Sequence, residues 1–245
     1  MEVLILKIKY ISYNLNNTIT NLWNRFSDEF ASFDCMKRMP NYSSKPIKGK
    51  LLFIGLNPAF QNKNKDSLIF TSSVSAEKMN EIATNNDNSK TKTNEKGNYY
   101  AKYFNILHLI SDELIIGGSD EKKFEHCDMF LMRETDSKIV KQMVEDNDGI
   151  LNSFGLEQLE ILKIYIADAE PIMIIIPNAL SSRYYRKHVL ENHDIDSENG
   201  VYYTEVNKCK IPTILCGSWQ YGRLDDFTKE ILVGHMKKVM VSHKK

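Results

Sequence analysis

Four short apolar runs, each closed by a turn-forming or polar residue, constrain the fold of this chain more than any other feature. They are Lys50 to Gly55, Cys127 to Met132, Pro171 to Pro177 and Ile211 to Gly217. Runs this short and this uniformly apolar suit strands buried on both faces, as in a parallel sheet. Stretches with helical period separate them: Tyr99 to Leu114, Ser137 to Glu145, Leu156 to Ala169 and Leu180 to Asn192, with a last helix over about Leu224 to Val241. Strands alternating with helices predict an α/β fold, a three-layer α/β/α arrangement with a central, mainly parallel four-stranded sheet. Asn14 to Phe33 carries an apolar stripe (Leu15, Ile19, Leu22, Trp23, Phe26, Phe30) and predicts an amphipathic helix before the first core strand. Val201 to Val206 predicts a short strand that turns through Asn207-Lys208-Cys209-Lys210 into the last core strand. Met1 to Ile11 is a candidate added edge strand.

The 245 residues, 42% of them hydrophobic, suit a single domain over 1–245 with a real core. The segment 61–96 is rich in Asn, Lys, Ser and Thr, and Asn85 to Lys96 approaches low complexity. Such a composition buries little surface and predicts a flexible insertion, either a lid or inert. Lys+Arg and Asp+Glu are both 32, which argues against a strongly basic nucleic-acid binder but leaves room for a local basic face. The four cysteines (Cys35, Cys127, Cys209, Cys216) are widely spaced, with no Cys-x-x-Cys pair, so neither a zinc knuckle nor a disulfide framework is expected. No apolar run reaches the roughly 18 residues of a membrane span. Met1 to Tyr13 carries Glu2, Lys7 and Lys9 and lacks a small-residue cleavage site, so a cytoplasmic, monomeric protein is expected. No Ser-His-Asp order and no Gly-x-x-x-x-Gly-Lys phosphate loop occurs.

The first run continues as Gly55-Leu56-Asn57-Pro58-Ala59-Phe60. In an open α/β sheet, ligands bind just beyond the carboxyl ends of the strands, which is where a turn holding Asn57 would sit. The segment Phe53-Ile54-Gly55-Leu56-Asn57-Pro58 closely resembles the first active-site motif of the uracil-DNA glycosylase superfamily. It is nearest to the mismatch-specific uracil/thymine-DNA glycosylase branch, whose motif reads Gly-(Ile/Leu)-Asn-Pro-Gly. A helix followed by four parallel strands is what that fold requires.

The resemblance implies a chemistry. Hydrolysis of an N-glycosidic bond passes through an oxocarbenium-like transition state, and the base leaves as an anion. The enzyme must place a water, supply donors to the departing base and flip the nucleotide from the stack. The family's motif Asn, which positions the water, maps onto Asn57. Gly55, Leu56, Pro58, Ala59 and Phe60 would frame the base, with Ala59 and Phe60 offering backbone amides. Phe70 would stack on the base, with Ile69 at the alternative register. Asn98-Tyr99-Tyr100 is either a helix cap or part of the site. Arg133-Glu134-Thr135 is a loose match to a family motif in which Arg133 contacts phosphate or pairs with Glu134. Asn178-Ala179-Leu180 is a helix start or a further motif.

In the final motif Cys216 stands among the base-binding positions. Ser218, Trp219, Gln220, Tyr221 and Arg223 would grip and wedge the DNA. The family's His or Asn and Pro are replaced there by Cys216 and Gly217, and the Gly after Asn-Pro is Ala59. Cys216 is a poor donor. The implied partner is uracil-containing or mismatched DNA, with no cofactor and no metal; the cysteine spacing does not resemble that of the branches holding an iron–sulfur cluster. Two other readings share these residues: a divergent member that binds a nucleobase, nucleotide or nucleic acid without cleaving it, and a doubly wound domain of unrelated function such as a small hydrolase.

Overall fold

A computed structural model describes residues 15–42, 46–58, 69–71, 78, 101–114, 123–147, 149–191, 193–217, 219 and 225–243. The segments 1–11 and most of 61–96, including Asn98-Tyr99-Tyr100 just beyond, lie outside the described residues.

Strands β1 (Leu51–Gly55), β2 (Phe124–Asp128), β5 (Met173–Ile176), β6 (Tyr202–Val206) and β7 (Cys209–Leu215) form one sheet in the order β2-β1-β5-β7-β6. The first four are mutually parallel, and β6 pairs antiparallel with β7. The sheet therefore has five strands rather than the expected four. The extra one is the Val201 to Val206 segment, whose two-residue turn at Asn207 and Lys208 has positive φ at both positions (51° and 68°). That geometry matches the twist of a hairpin and carries β6 onto the sheet edge. A second, two-stranded piece, β3 (Glu145–Asn147) with β4 (Ile150–Leu151), was not predicted.

The parallel register sorts side chains onto two faces. Leu51, Phe53, Phe124, Met173, Ile175 and Ile214 pack under helices α2 (Ala101–Leu114) and α6 (Asp226–His243) through Leu107, Ile110, Val233 and Met236. Leu52, Ile54, Cys127, Ile174 and Ile176 face the other layer, built from α1 (Leu15–Phe26), α3 (Ser137–Val144), α4 (Ser153–Ala169) and α5 (Ala179–His188). Three layers result, as uniformly buried strands require.

Helix starts follow capping chemistry. Asp136, Asn152 and Asn178 each accept backbone N–H bonds from the first turn of α3, α4 and α5. Asn178 is thus a cap, one of its two expected roles. Glu145 ties the small hairpin to α5. Its side chain, only 4% exposed, takes bonds from Arg183 (3.0 Å), the Tyr184 hydroxyl (2.9 Å) and the Gly149 amide. Among the described residues no helix is long and apolar enough to cross a membrane.

The second strand differs from its predicted span. The ladder covers Phe124–Asp128 and stops where Met129 to Met132 begins. Those four residues are buried, but after the Met129 amide, which still donates to Gly55 O, they leave the regular ladder. The Phe130 amide donates to Leu56 O, the Leu131 amide to the Gln158 side chain, and Leu131 O accepts from Asn41. Burial without a ladder reads in sequence like a strand.

Candidate functional site

The four parallel strands end on one side of the sheet, and their following loops define the candidate site. Beyond β1 and β2 the two chains stay zipped together. The Met129, Phe130 and Glu134 amides donate to Gly55 O (3.1 Å), Leu56 O (2.9 Å) and Pro58 O (2.9 Å).

Asn57 lies in this seam, half-buried. Its Nδ2 donates to Glu134 O at 2.6 Å and, more weakly, to Pro58 O at 3.2 Å and Met132 O at 3.3 Å. All three neighbours are carbonyl oxygens, so only the NH2 end of the amide can face them. Oδ1 is therefore turned away from the loop, and among the described residues nothing donates to it.

The Glu134 loop is itself braced. Arg38 donates to Arg133 O at 2.7 Å and pairs with the Glu134 carboxylate at 3.4 Å. Glu134 Oε1 caps the Thr135 and Asp136 amides. The Arg133 guanidinium is buried and bonds inward, to Met39 O (2.9 Å) and Asn41 Oδ1 (3.3 Å). Glu134 pairs with Arg38; pairing with Glu134 was one of the two alternatives expected for Arg133.

Phe70 reaches this neighbourhood through its backbone. Its amide donates to Lys37 O, and Ile69 bridges to Arg38. The ring is half-buried against the α1 layer. Leu56, expected beside a base, has its side chain in that same core. Ala59, Phe60, Ser218, Gln220, Tyr221 and Arg223 lie outside the described residues.

At the end of β7 the Cys216 amide donates to Ile176 O (3.0 Å), and Cys216 O accepts from the Ser182 hydroxyl (2.9 Å). Burial pushes the thiol up to about 12, so it stays protonated at neutral pH, neither a thiolate nucleophile nor a strong donor. Trp219, expected from the sequence as part of the DNA wedge, is instead buried. It is 2% exposed and packs edge-on to Phe53, ring centroids 6.2 Å apart, within the α2/α6 layer. A two-ring apolar side chain gains more from that core than from a polar loop, so Trp219 is a core residue here and not a wedge.

Two residues at the strand ends were missed. His126 and Asp128 share the α2/α6 face of β2 with Gly55 of β1, which is paired with Asp128. The His126 ring, 7% exposed, stands edge-on to Phe104 at 5.1 Å. A Cβ at position 55 would overlap the Asp128 carboxylate and lie 3.3 Å from His126 Nε2. Glycine at 55 is what lets a carboxylate lie against β1. Gly55→Ala is expected to lower stability by about 1–3 kcal/mol through this overpacking, read by urea unfolding. An unchanged midpoint would mean that Asp128 swings aside without cost. The signal in the sequence was the alternation Phe124, His126, Asp128, hidden because the strand was placed three residues late.

Adjacent strand ends thus hold Asn57, just past β1, and Asp128, which ends β2 with its carboxylate lying against Gly55. Among the described residues no three His, Cys, Asp or Glu side chains gather as metal ligands. No protein-family model matches this sequence, and comparison with curated proteins finds no match.

Proposed function

We propose that this chain is a uracil-DNA glycosylase-like hydrolase that removes uracil or a related damaged or mismatched base from DNA. The observation that carries the reading is the orientation of Asn57. Its NH2 end is spent on loop carbonyls, and its Oδ1, to which nothing among the described residues donates, is a rigid acceptor at the carboxyl end of a central strand. A water held by that oxygen adds to the anomeric carbon as the bond to the base nitrogen breaks. The base leaves with the bonding electrons, and the proton lost by the water passes through solvent to the departing base anion. An amide is no strong base, but an oxocarbenium-like carbon needs little base assistance. The Asp128 carboxylate, which lies against Gly55 one strand over, would add negative charge near a developing oxocarbenium ion.

A second reading has its own support. Cys216, where the family holds a donor to the leaving base, is a protonated thiol and donates weakly. A protein so built binds a base or nucleotide without releasing it.

One assay separates the two. Base release is measured on uracil-containing single strands and on G·U, G·T and A·U duplexes by alkaline strand cleavage. Cleavage that disappears in Asn57→Ala supports the hydrolase. Absence of cleavage on every substrate, from folded protein, overturns it in favour of binding alone.

A further inference from the structure

Helix α6 carries an exposed stripe that no described element covers. Phe227 is 72% exposed, Ile231 57% and Val241 64%, on a helix whose opposite side is buried through Val233, Met236 and Val239. At 3.6 residues per turn, Phe227, Ile231, Gly234, Lys238 and Val241 lie along one face. Gly234 sits at the middle of this stripe, inside an 18-residue helix, and a Cβ there would meet nothing within 4 Å. Its own fold has no need of a glycine there, and glycine weakens a helix relative to alanine. A bare backbone at the centre of an apolar stripe suits close approach of another backbone.

The charges identify that other backbone. Residues equidistant from Gly234 are complementary. Glu230 and Lys238 stand four positions to either side, Phe227 and Val241 seven. Glu230 and Lys238 are both exposed, and among the described residues neither has an ion-pair partner in its own chain. A second α6 laid antiparallel about a twofold axis at Gly234 sets Glu230 against the partner's Lys238, Phe227 against the partner's Val241, and Ile231 against the stem of the partner's Lys237. By symmetry every contact occurs twice, as a closed isologous interface requires.

We propose that this protein forms a twofold homodimer through antiparallel packing of α6, crossing at Gly234. A single helix pair is a small interface, so the dimer forms reversibly in the micromolar range. This departs from the monomer expected from sequence and does not depend on the proposed catalysis.

Sedimentation velocity over a concentration series tests it. Wild type is expected to pass from monomer to dimer. Gly234→Leu and Phe227→Glu, both at exposed positions, are expected to weaken association by at least about tenfold with unchanged circular dichroism. Glu230→Lys and Lys238→Glu are each expected to be monomeric alone and to form a dimer when mixed, because mixing restores both charge pairs. Wild type that stays monomeric throughout, or a dimer indifferent to Gly234→Leu, overturns the proposal. A mixture that fails to associate overturns the antiparallel twofold arrangement.

Discussion

Asn57→Ala is expected to abolish base release, by at least about 10²-fold, while leaving a folded protein. Two effects are combined in that substitution and can be separated. The first is chemical: Oδ1 is lost, and with it the proposed water site. The second is structural. Glu134 O loses a 2.6 Å bond, and Met132 O and Pro58 O lose weaker ones, at a seam joining the β1 and β2 loops. Pro58 O keeps the Glu134 amide, but Glu134 O and Met132 O lose their Asn57 donor, and partly buried carbonyls left unpaired cost about 1–3 kcal/mol, read by urea unfolding. Asn57→Asp sharpens the test. It keeps the shape but turns an acceptor toward three acceptors, so its ionised form is penalised in the folded state. The folded pKa then lies above the unfolded value of roughly 3.9. The folded protein holds the proton longer, and stability falls as pH rises from the unfolded pKa through the folded one. Asn57→Asp should therefore be less stable than wild type at neutral pH and recover in acid. Equal stability of the two at neutral pH would show that the amide nitrogen does not face those carbonyls.

Trp219→Ala is the second large effect, expected to cost about 3–5 kcal/mol, the penalty for removing a fully buried aromatic side chain. The indole is 2% exposed and fills the space between Phe53 and the α2/α6 layer. The same segment leads on from Cys216, so its collapse should also disturb the loop at the end of β7. The opposite outcome is informative. Stability unchanged within about 0.5 kcal/mol, together with lost duplex binding, would mean that the indole leaves the core to meet DNA. Trp219→Phe, which keeps an aromatic ring in the core, should recover most of the stability if packing is its role.

These two residues also show what the sequence could and could not reveal. Asn57 was legible because its signal is local: an apolar run, a glycine and an Asn-Pro turn fix both the strand and its end. The alternation of β1, β5 and β7 with helices was legible for the same reason, and so was Asn178 as a cap. Trp219 was not, because an aromatic in a polar, glycine-bracketed loop reads as exposed until Phe53, far away in sequence, is placed beneath it. Met129 to Met132 misled in the other direction. Its burial is real, but its hydrogen bonds go to Leu56, Gln158 and Asn41, contacts that no local pattern encodes. The resulting shift of β2 hid Asp128 and His126, since a misplaced span changes which residues close the strand. Glu145 hid the small hairpin, because a carboxylate reads as surface unless Arg183 and Tyr184 are known to enclose it.

The two tryptophans of this chain sit in different layers. Trp23 is fully buried among α1 and α4, edge-on to Phe154, with its indole nitrogen unbonded among the described residues. Trp219 lies on the far side of the sheet. Each is thus an optical probe of one layer alone. With Trp23 replaced by Phe, the remaining emission reports the α2/α6 layer, and its colour should move with events at the end of β7. With Trp219 replaced instead, the emission reports the opposite layer and should ignore them. Two single-tryptophan proteins would time the opening of each half of this sheet independently.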